Sequence, residues 1–356
     1  TLRVWNLSGQ LASRRFGTEP AAIDAIAVSH DGNHLLSGSG TGELALWDTV
    51  TGEVLDRLGG DGVPIAPDCL AFDPAPVGGT VRALSCAEDP SGASEATNLI
   101  LWDVEAGVEL RRLEGHATFV RALAFRPDGR TALTGSQSLP SNEEGDLILW
   151  DLETGRQIRK FDVTHDIATI AVSDDGEHAI TGSVTGAAAI LWDMATGEQI
   201  RRYVGHDAPV LNVAFVPEQQ LMITASADGT LASWHLDSGE VVHRFVGHEA
   251  PIFVMAVSPD GEFVLSGSTN GTAILWDAAT GEELHRLRGH TAPVFGVAFH
   301  PEGDRAYTAG ADGLLFEWRG FDAPLAELTD WIRANRFVRE LTCQERTEYS
   351  LDLRNC

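Results

Sequence analysis

Residues 205 to 234 read GHDAPVLNVAFVPEQQLMITASADGTLASW and hold one copy of the pattern that decides the fold. A Gly-His pair opens this stretch, and three runs of alternating apolar residues follow it up to Trp234. Such alternation is typical of strands with one buried face, and Asp228-Gly229 between the last two runs predicts a tight hairpin turn. A short turn and a fourth run come after each such Trp, so the pattern predicts a four-stranded antiparallel sheet.

The same pattern recurs along the chain. It is marked by tryptophans at positions 5, 47, 102, 150, 192, 234, 276 and 318, which are 42, 55, 48, 42, 42, 42 and 42 residues apart. This period is too long for a helix or strand and suits one four-stranded unit. Such a sheet exposes apolar side chains on both faces, so it needs neighbouring copies, and closing the stack into a ring removes the exposed end sheets. The sequence therefore predicts an all-β toroidal propeller.

Two dipeptides recur at fixed places in the repeats. Gly-His pairs lie at 115–116, 205–206, 247–248 and 289–290, and Trp-Asp pairs lie at 47–48, 102–103, 150–151, 192–193 and 276–277. In these motifs the chain resembles the WD-repeat family of β-propellers, over roughly nine tenths of its length. The resemblance implies blades of four antiparallel strands.

Counting strands gives seven blades. Seven sets of three strands end at Trp47 through Trp318, but the pattern stops after Trp318, so the last blade lacks its outer strand. Residues 10 to 16, QLASRRF, are predicted to supply it and to close the ring. We therefore assign residues 10–320 to the propeller and residues 1–9 to a remnant strand of a preceding repeat or domain. The alternative is an eighth, incomplete blade formed by residues 1 to 16.

Residues 321–356 differ in kind from the repeats. Asp322 and Pro324 suit a helix start, and Thr342 with Glu345 makes a capping box, so we predict two short helices. This tail resembles the C-terminal extension that follows propellers in large multidomain prokaryotic signalling proteins. Because the sequence begins inside a repeat and without Met, we expect the chain to be part of a longer polypeptide.

The composition favours a protein partner. The net charge is −27, from 52 acidic and 25 basic residues, and Lys160 is the only lysine. An acidic surface repels phosphate groups, so we expect neither nucleic acid nor an anionic membrane, but a basic protein surface or another domain of the same polypeptide. The alternative is that the acidity only keeps the protein soluble. We predict a cytoplasmic location.

The cysteine spacing indicates neither a disulfide framework nor a metal centre. The chain has four, Cys69, Cys86, Cys343 and Cys356, and no two lie close together in the sequence. This spacing argues against a disulfide framework and a structural zinc site. We expect neither a metal nor a cofactor.

Resemblance to the WD-repeat family also implies buried hydrogen-bond chains. In that family the His of the Gly-His pair bonds a Ser or Thr on the second strand, which bonds the Trp, and an Asp in the intervening turn bonds the His. The implied sets are His206, Thr224, Asp228 and Trp234; His290, Thr308, Asp312 and Trp318; His248, Ser266 and Trp276, with Asn270 in place of Asp; and His116, Thr134 and Trp150. A buried indole and imidazole need such partners. Because the set recurs, we interpret it as structural rather than as a Ser or Thr hydrolase site.

Three blades depart from this set. Blades one and two have no Gly-His pair, and blade four has His165 and Thr181 but no acid in its turn. We predict that blades one and two are the least stable and lose hydrogen-exchange protection first.

Two long intervals fall between the second and third strands of blades two and three, at residues 86 to 98 and 136 to 146. Loops on a rigid scaffold are common recognition sites. We predict that these loops and a nearby one form an acidic crescent that docks a basic segment. Its residues are Glu88, Asp89, Glu95, Glu143, Glu144, Asp146, Asp61 and Asp68. The alternatives are solvated insertions and, without a recognisable motif, a calcium site.

Together these features predict a non-catalytic protein-protein interaction platform, the sensor or scaffold part of a larger signalling or defence protein. Two alternatives stay open: a small-molecule binder or enzyme that uses the central channel, and an inert structural or self-association ring. The inner strands bring few charged groups to the axis and no convergent acid, base or metal set, which argues against the channel-based alternative.

Overall fold

A computed structural model describes residues 3–4, 12–19, 21–59, 65–76, 79–87, 98–116, 118–137 and 145–320. Within these ranges the chain forms 29 β-strands in seven antiparallel sheets. The sheets are the blades of a propeller, so the predicted seven-bladed, all-β fold is confirmed. The predicted helical tail, residues 321–356, lies outside the described residues. No helix in the described part of the chain combines the length and the apolar character needed to cross a bilayer.

The strands follow one another in chain order, four to each of the first six blades. Before blade one come Arg3–Val4 (β1) and Ala12–Thr18 (β2). Blades one to three consist of Ile23–Val28 (β3), His34–Ser39 (β4), Glu43–Asp48 (β5) and Val54–Gly59 (β6); Ile65–Phe72 (β7), Arg82–Ala87 (β8), Asn98–Asp103 (β9) and Val108–Leu113 (β10); and Phe119–Phe125 (β11), Thr131–Gln137 (β12), Leu147–Asp151 (β13) and Arg156–Phe161 (β14).

The second half of the ring repeats this arrangement with shorter connections. Blades four to six consist of Thr169–Val172 (β15), His178–Gly182 (β16), Ala188–Asp193 (β17) and Gln199–Val204 (β18); Val210–Phe215 (β19), Leu221–Ser226 (β20), Thr230–His235 (β21) and Val241–Val246 (β22); and Ile252–Val257 (β23), Phe263–Ser268 (β24), Ala273–Asp277 (β25) and Glu283–Leu287 (β26). Blade seven has Val294–Phe299 (β27), Arg305–Gly310 (β28) and Leu314–Arg319 (β29).

Blade seven takes its outer strand from the beginning of the chain. Its sheet has the order β1-β2-β29-β28-β27, and β2 runs antiparallel to β29 with Ser13 opposite Trp318. The predicted closing strand is therefore confirmed. The short strand β1 adds to the outer edge of the same sheet, where Val4 lies opposite Ser13. Because β1 and β2 both join blade seven, the alternative of an eighth blade is wrong.

The apolar core lies between blades. Trp102 of blade two shares a cluster with Leu44 and Leu46 of blade one, and Trp276 of blade six shares one with Ile223 of blade five. Each sheet thus shields its neighbour, as expected for an array whose units cannot bury both faces alone. The ring closes in the same way, because each inner strand packs beside the next and β27 packs beside β3.

Phe16 on β2 anchors this closure. Its ring centroid lies 5.9 Å from that of Tyr307 in blade seven and 6.2 Å from that of Trp47 in blade one. Only 5% of Phe16 is exposed. One aromatic side chain from the start of the chain therefore joins the first and last blades.

A repeated arginine links the outer strand of one blade to the backbone of the next. In each case the guanidinium donates to a carbonyl in the turn before the next blade's outer strand. The pairs are Arg14 with Val50, Arg111 with Glu153, Arg159 with Ala195 and Arg201 with Asp237, at 2.6, 2.8, 2.7 and 2.6 Å. These contacts join blade seven to one, two to three, three to four and four to five.

Cys69 on β7 and Cys86 on β8 form a disulfide bond, although the spacing of the cysteines in the sequence argues against a disulfide framework. They are 17 residues apart in the sequence, but Leu70 pairs with Ser85 in the β7-β8 hairpin. This register sets the cysteines opposite each other, with 5.3 Å between their Cα atoms. Both side chains are fully buried.

Candidate interaction surfaces

Blade five contains the complete hydrogen-bond chain. Nδ1 of His206 lies 2.9 Å from Oδ2 of Asp228, and Nε2 lies 2.7 Å from Oγ1 of Thr224. Nε1 of Trp234 donates to the same hydroxyl at 2.9 Å. Because the carboxylate accepts the Nδ1 proton, Nε2 is left as an acceptor for the hydroxyl of Thr224. The loop before the first strand is thereby tied to the middle of the blade.

Blade seven repeats the chain, and blades three and six lack part of it. In blade seven, His290 lies 3.0 Å from Asp312 and 2.9 Å from Thr308, which accepts from Trp318 at 3.0 Å. In blade six, the hydroxyl of Ser266 lies 2.7 Å from Nε2 of His248 and 2.8 Å from Nε1 of Trp276. In blade three, the hydroxyl of Thr134 lies 2.6 Å from Nε2 of His116 and 2.7 Å from Nε1 of Trp150. Among the residues that the structure describes, Nδ1 of His248 and Nδ1 of His116 have no hydrogen-bond partner.

Burial favours the neutral form of three of these imidazoles, those of His116, His206 and His248. Burial and, to a smaller extent, the charge of Arg286 lower the pKa of His248 to about 4. Burial also lowers the pKa of His206, although Asp228 acts in the opposite direction. Thr224 is 0% exposed and His206 is 6% exposed, so their reactive atoms face the interior of the blade. This arrangement suits cohesion of the blade and offers no route for a substrate to reach the hydroxyl.

Blades one, two and four keep only the bond between the indole and the second strand. Trp47, Trp102 and Trp192 donate to Ser37, Ser85 and Thr181 at 2.9, 2.8 and 2.9 Å. In blade four, Nε2 of His165 is buried and has no hydrogen-bond partner within the described ranges, so the chain is interrupted at the histidine as well as at the missing acid.

Blade one replaces histidine with an ion pair that the sequence did not reveal. Glu19 stands four residues before Ile23, as His248 stands four residues before Ile252, and Glu19 is 8% exposed. Arg57 donates to Glu19 at 2.8 Å, and it also pairs with Glu43 at 2.8 Å. These two carboxylates raise the pKa of Arg57. Glu19 and Arg57 are 38 residues apart, so no local pattern indicates the pair.

The structure places Asp146 inside blade three rather than on an exposed crescent. Asp146 is 6% exposed; its Oδ1 lies 2.5 Å from Nζ of Lys160, and its Oδ2 lies 3.9 Å from Nδ1 of His116. Its N–H donates to the hydroxyl of Ser136 at 2.8 Å, which turns it back into the blade. The other crescent positions, Glu88, Asp89, Glu95, Glu143, Glu144 and Asp61 and the side chain of Asp68, lie outside the described part of the structure.

One group of three possible metal ligands occurs among the described residues, His300, Glu302 and Asp304. Nε2 of His300 lies 3.1 Å from the carbonyl oxygen of Gly32, and its Nδ1 accepts from the N–H of Glu302 at 3.2 Å. Arg305 pairs with both carboxylates, at 3.4 Å and 3.0 Å. These contacts explain why the three side chains lie together: they belong to a turn of blade seven that contacts blade one.

A central channel with a cavity of about 200 Å³ runs between the inner strands. Its described lining comes from all seven blades and contains no charged residue. Thr169 and Asn212 are the polar side chains of this lining. The side chains of this lining are therefore mostly apolar, whereas polar atoms make up most of the surface that the channel exposes.

The end of the channel where the inner strands begin has an apolar side. The β-sheet register shifts at Leu211, Phe253 and Phe295, the second residues of β19, β23 and β27. A β-bulge leaves its extra residue out of the ladder and re-aims the side chain. The rings of Phe253 and Phe295 meet edge to face with centroids 5.6 Å apart, and all three residues are partly exposed. We call these three residues the aromatic mouth.

The equivalent bulges of blades one and three carry charged residues instead. The register shifts at Asp24 between Ile23 and Ala25 and at Arg121 between Val120 and Ala122. The channel end is therefore apolar over blades five to seven and charged over blades one and three. The strand alternation in the sequence gives no sign of the bulges, so sequence reasoning missed this surface.

Family models match the same repeats. The WD domain, G-beta repeat, matches residues 13–48, 107–151, 197–235, 239–277 and 281–319, which is more than half of the chain. The chain belongs to the WD-repeat family. Most of blades two and four falls between the matched segments, and these are blades whose hydrogen-bond chains are incomplete.

Curated relatives are similar to part of this WD-repeat chain. It is 28% identical over 144 residues to the B-type cell cycle switch protein ccs52B of Medicago truncatula, covering 38% of this chain and 26% of that protein. It is 29% identical over 140 residues to the nuclear distribution protein PAC1 of Arthroderma otae, covering 36% and 30%. The uncharacterized WD repeat-containing protein C227.12 of Schizosaccharomyces pombe is 31% identical over 124 residues, covering 33% and 24%. The alignments span less than a third of these relatives.

Proposed function

We propose that this WD-repeat propeller is a non-catalytic protein-interaction platform within a larger cytoplasmic signalling or defence protein. WD-repeat propellers typically bind other proteins. The observation that carries the proposal is the aromatic mouth, where Phe253 and Phe295 form a partly exposed edge-to-face pair beside Leu211. Aromatic side chains are enriched among residues that anchor protein interfaces. Strands of a closed ring hold these side chains in place, so little conformational freedom is lost on binding.

The channel gives the alternative of an enzyme or small-molecule binder little support. Its described lining is uncharged, so it offers neither an acid nor a base to a reacting group. The buried sets of His206 and His290 face the interiors of their blades, away from any substrate. An interaction surface fits these features better than a reaction site.

The test uses the whole chain as bait and compares captured proteins by quantitative mass spectrometry. The double variant Phe253→Ala/Phe295→Ala should reduce capture of specific partners about ten-fold or more, since interface anchors often contribute about 2 kcal/mol each. The matched control is Ile158→Ala, which shortens an apolar side chain that is 53% exposed on outer strand β14. Thermal unfolding of each variant checks that the ring is intact. Equal capture by all three proteins would remove the mouth as the binding surface.

The acidic crescent stays a prediction from the sequence. Its test is the triple charge reversal Glu88→Lys/Glu143→Lys/Glu144→Lys, which should weaken binding of a basic partner because like charges then face each other. Unchanged binding would contradict the crescent without affecting the aromatic mouth.

A further inference from the structure

A cleft of about 500 Å³ lies between blades four and five. One wall is the turn between β15 and β16, and the other is the turn between β19 and β20. Both turns follow the inner strands, whereas the aromatic mouth lies where those strands begin. The cleft is therefore a separate surface.

Among the described residues, the two turns that line this cleft are not joined by the side-chain bridge found at three other junctions. Elsewhere a side chain of one blade donates to the carbonyl of a turn glycine in the next. The bridges are Arg82 to Gly129 at 2.7 Å, Arg126 to Gly176 at 3.1 Å and His300 to Gly32 at 3.1 Å. In blade four, Ser173 stands directly after the inner strand, where Arg126 and His300 stand in their blades, and its hydroxyl bonds Asp175 of its own turn at 2.5 Å, as Ser29 and Ser258 do with Asp31 and Asp260. It does not reach blade five.

Blade five has no glycine in the facing turn. Its sequence is Pro217-Glu218-Gln219-Gln220, whereas blade six has Pro259-Asp260-Gly261-Glu262. Glu218 adopts a φ of 54°, and it is the non-glycine residue with positive φ among the described residues. This conformation costs roughly 1 kcal/mol or more for a side chain of this kind. Blade five therefore presents a glycine-free turn to this junction.

The cleft joins an apolar floor to an acidic rim. The floor includes Leu191, Phe215 and Leu236. The rim carries the exposed carboxylates of Asp174, Asp175, Glu218 and Asp237. Arg201 also lines the cleft, but its guanidinium is held by the carbonyl oxygens of Asp237 and Ser238 at 2.6 Å and 3.2 Å.

We propose that this cleft binds a basic segment of a partner protein. The aliphatic stem of a Lys or Arg, or a neighbouring aliphatic residue, packs on Phe215 and Leu236, and the cationic end meets the carboxylates of the rim. Charge complementarity selects this occupant, because the cleft carries four rim carboxylates in a chain of net charge −27. The inference rests on the proposed platform function and assigns it a second surface with its own partner chemistry.

The first test uses a fluorescein-labelled peptide, acetyl-Gly-Lys-Leu-Arg-Leu-Lys-Gly-amide, and measures fluorescence anisotropy with the whole chain. The cleft variant Asp174→Asn/Glu218→Gln/Asp237→Asn should weaken binding about five-fold or more, since three attractive contacts are lost. The control Glu105→Gln/Glu153→Gln/Glu282→Gln removes the same charge from exposed turns of other blades. It should change the affinity by less than about two-fold. Equal weakening by both variants would show diffuse attraction and overturn the proposal.

The second test replaces the glycine-free turn of blade five without changing the net charge. Glu218→Asp/Gln219→Gly restores the Pro-Asp-Gly turn of blade six and removes the positive φ from a side chain. We expect a higher melting temperature and weaker peptide binding. A higher melting temperature with unchanged peptide binding would mean that the turn is purely structural, and the proposal would fail.

A third test distinguishes the two surfaces by measuring peptide binding to the mouth variant and partner capture by the cleft variants. Phe253→Ala/Phe295→Ala should bind the basic peptide like the unmodified protein, because those residues lie at the other end of the inner strands. If the cleft variants leave peptide binding unchanged while the mouth variant loses its partners, the cleft proposal fails and the platform function stands. If peptide binding depends on the cleft and no partner depends on the mouth, the cleft proposal stands and the aromatic mouth is removed as a binding surface.

Discussion

Blades five and seven differ from blades one and two in how they secure the loop before the inner strand. In blade five a four-member chain runs from Asp228 through His206 and Thr224 to Trp234. Blade one keeps the indole bond but secures its loop with the Glu19-Arg57 ion pair. Blade two keeps the indole bond and has a disulfide between its first two strands.

The comparison separates what the ring requires from what a single blade is free to vary. Every blade satisfies its buried indole through a Ser or Thr on the second strand, because an unpaired N–H in the core is costly. The tie to the preceding loop varies in chemistry from a neutral chain to an ion pair. Blade one therefore secures its loop by an ion pair where the family motif is lost.

The largest effect should come from breaking the closure. Phe16→Ala removes the ring that packs between Tyr307 and Trp47, and we expect a loss of about 3 to 5 kcal/mol in the free energy of unfolding. Phe245→Ala is the matched variant at the same outer-strand position of blade five, where the side chain is fully buried. Urea unfolding should give similar losses for both. A loss below about 1 kcal/mol for Phe16→Ala alone would mean that the closing strand is only loosely attached.

The next effect concerns blade two. Reducing the Cys69-Cys86 bond opens a loop of 17 residues, so we expect the free energy of unfolding to fall by about 3 kcal/mol. Hydrogen exchange should show blade two losing protection after addition of a reductant while blade five is unchanged. The control Cys69→Ala/Cys86→Ala should be insensitive to reductant. Uniform protection around the reduced ring would also contradict the prediction that blades one and two open first.

A smaller effect compares the hydroxyls of blades five and two. Thr224→Val removes the hydroxyl partner of both Nε1 of Trp234 and Nε2 of His206, whereas Ser85→Ala removes the hydroxyl partner of Trp102. We expect the free energy of unfolding to fall by about 3 kcal/mol in Thr224→Val and by about 1 to 2 kcal/mol in Ser85→Ala. Urea unfolding at neutral pH measures both losses. Equal losses would show that the histidine adds nothing to the chain.

Features that depend on local pattern could be predicted from the sequence. Strand alternation and the 42-residue spacing predicted seven blades and the closing strand, because each depends only on neighbouring residues and on repetition. The positions of His206, Thr224, Asp228 and Trp234 followed from the family motif, since these residues keep the same spacing in several copies.

Features that depend on register or on long-range pairing could not be predicted. The Cys69-Cys86 bond requires the register of β7 against β8, and the Glu19-Arg57 pair joins residues 38 positions apart. Asp146 was assigned to an exposed loop because its neighbours are polar, but its backbone bond to Ser136 turns it inward. The aromatic mouth depends on bulges, which shift a residue out of the alternation by which strands are recognised.

The smallest effect tests why blades five and six differ. His248 lacks a carboxylate partner, and burial lowers its pKa to about 4 from an ordinary 6.5. A lowered pKa means that the unfolded chain binds a proton more readily than the folded chain. The contribution of His248 to the free energy of unfolding is therefore greatest above about pH 6.5, and it decreases as the pH falls towards 4. Asn270→Asp supplies the acid found as Asp228 in blade five, and it should raise the pKa of His248.

We expect Asn270→Asp to change the free energy of unfolding more favourably at pH 5 than at pH 7, by about 1 kcal/mol, as measured by urea unfolding at both pH values. Proton NMR titration of the imidazole reports the pKa directly. Asp228→Asn is the reciprocal change and should lower the pKa of His206, because its carboxylate now raises that pKa against the effect of burial. If neither substitution moves a histidine pKa, burial alone sets the charge of these imidazoles, and the acid in the turn acts only through its bonds to the backbone, such as the one that Asp228 accepts from Asp207 at 3.0 Å.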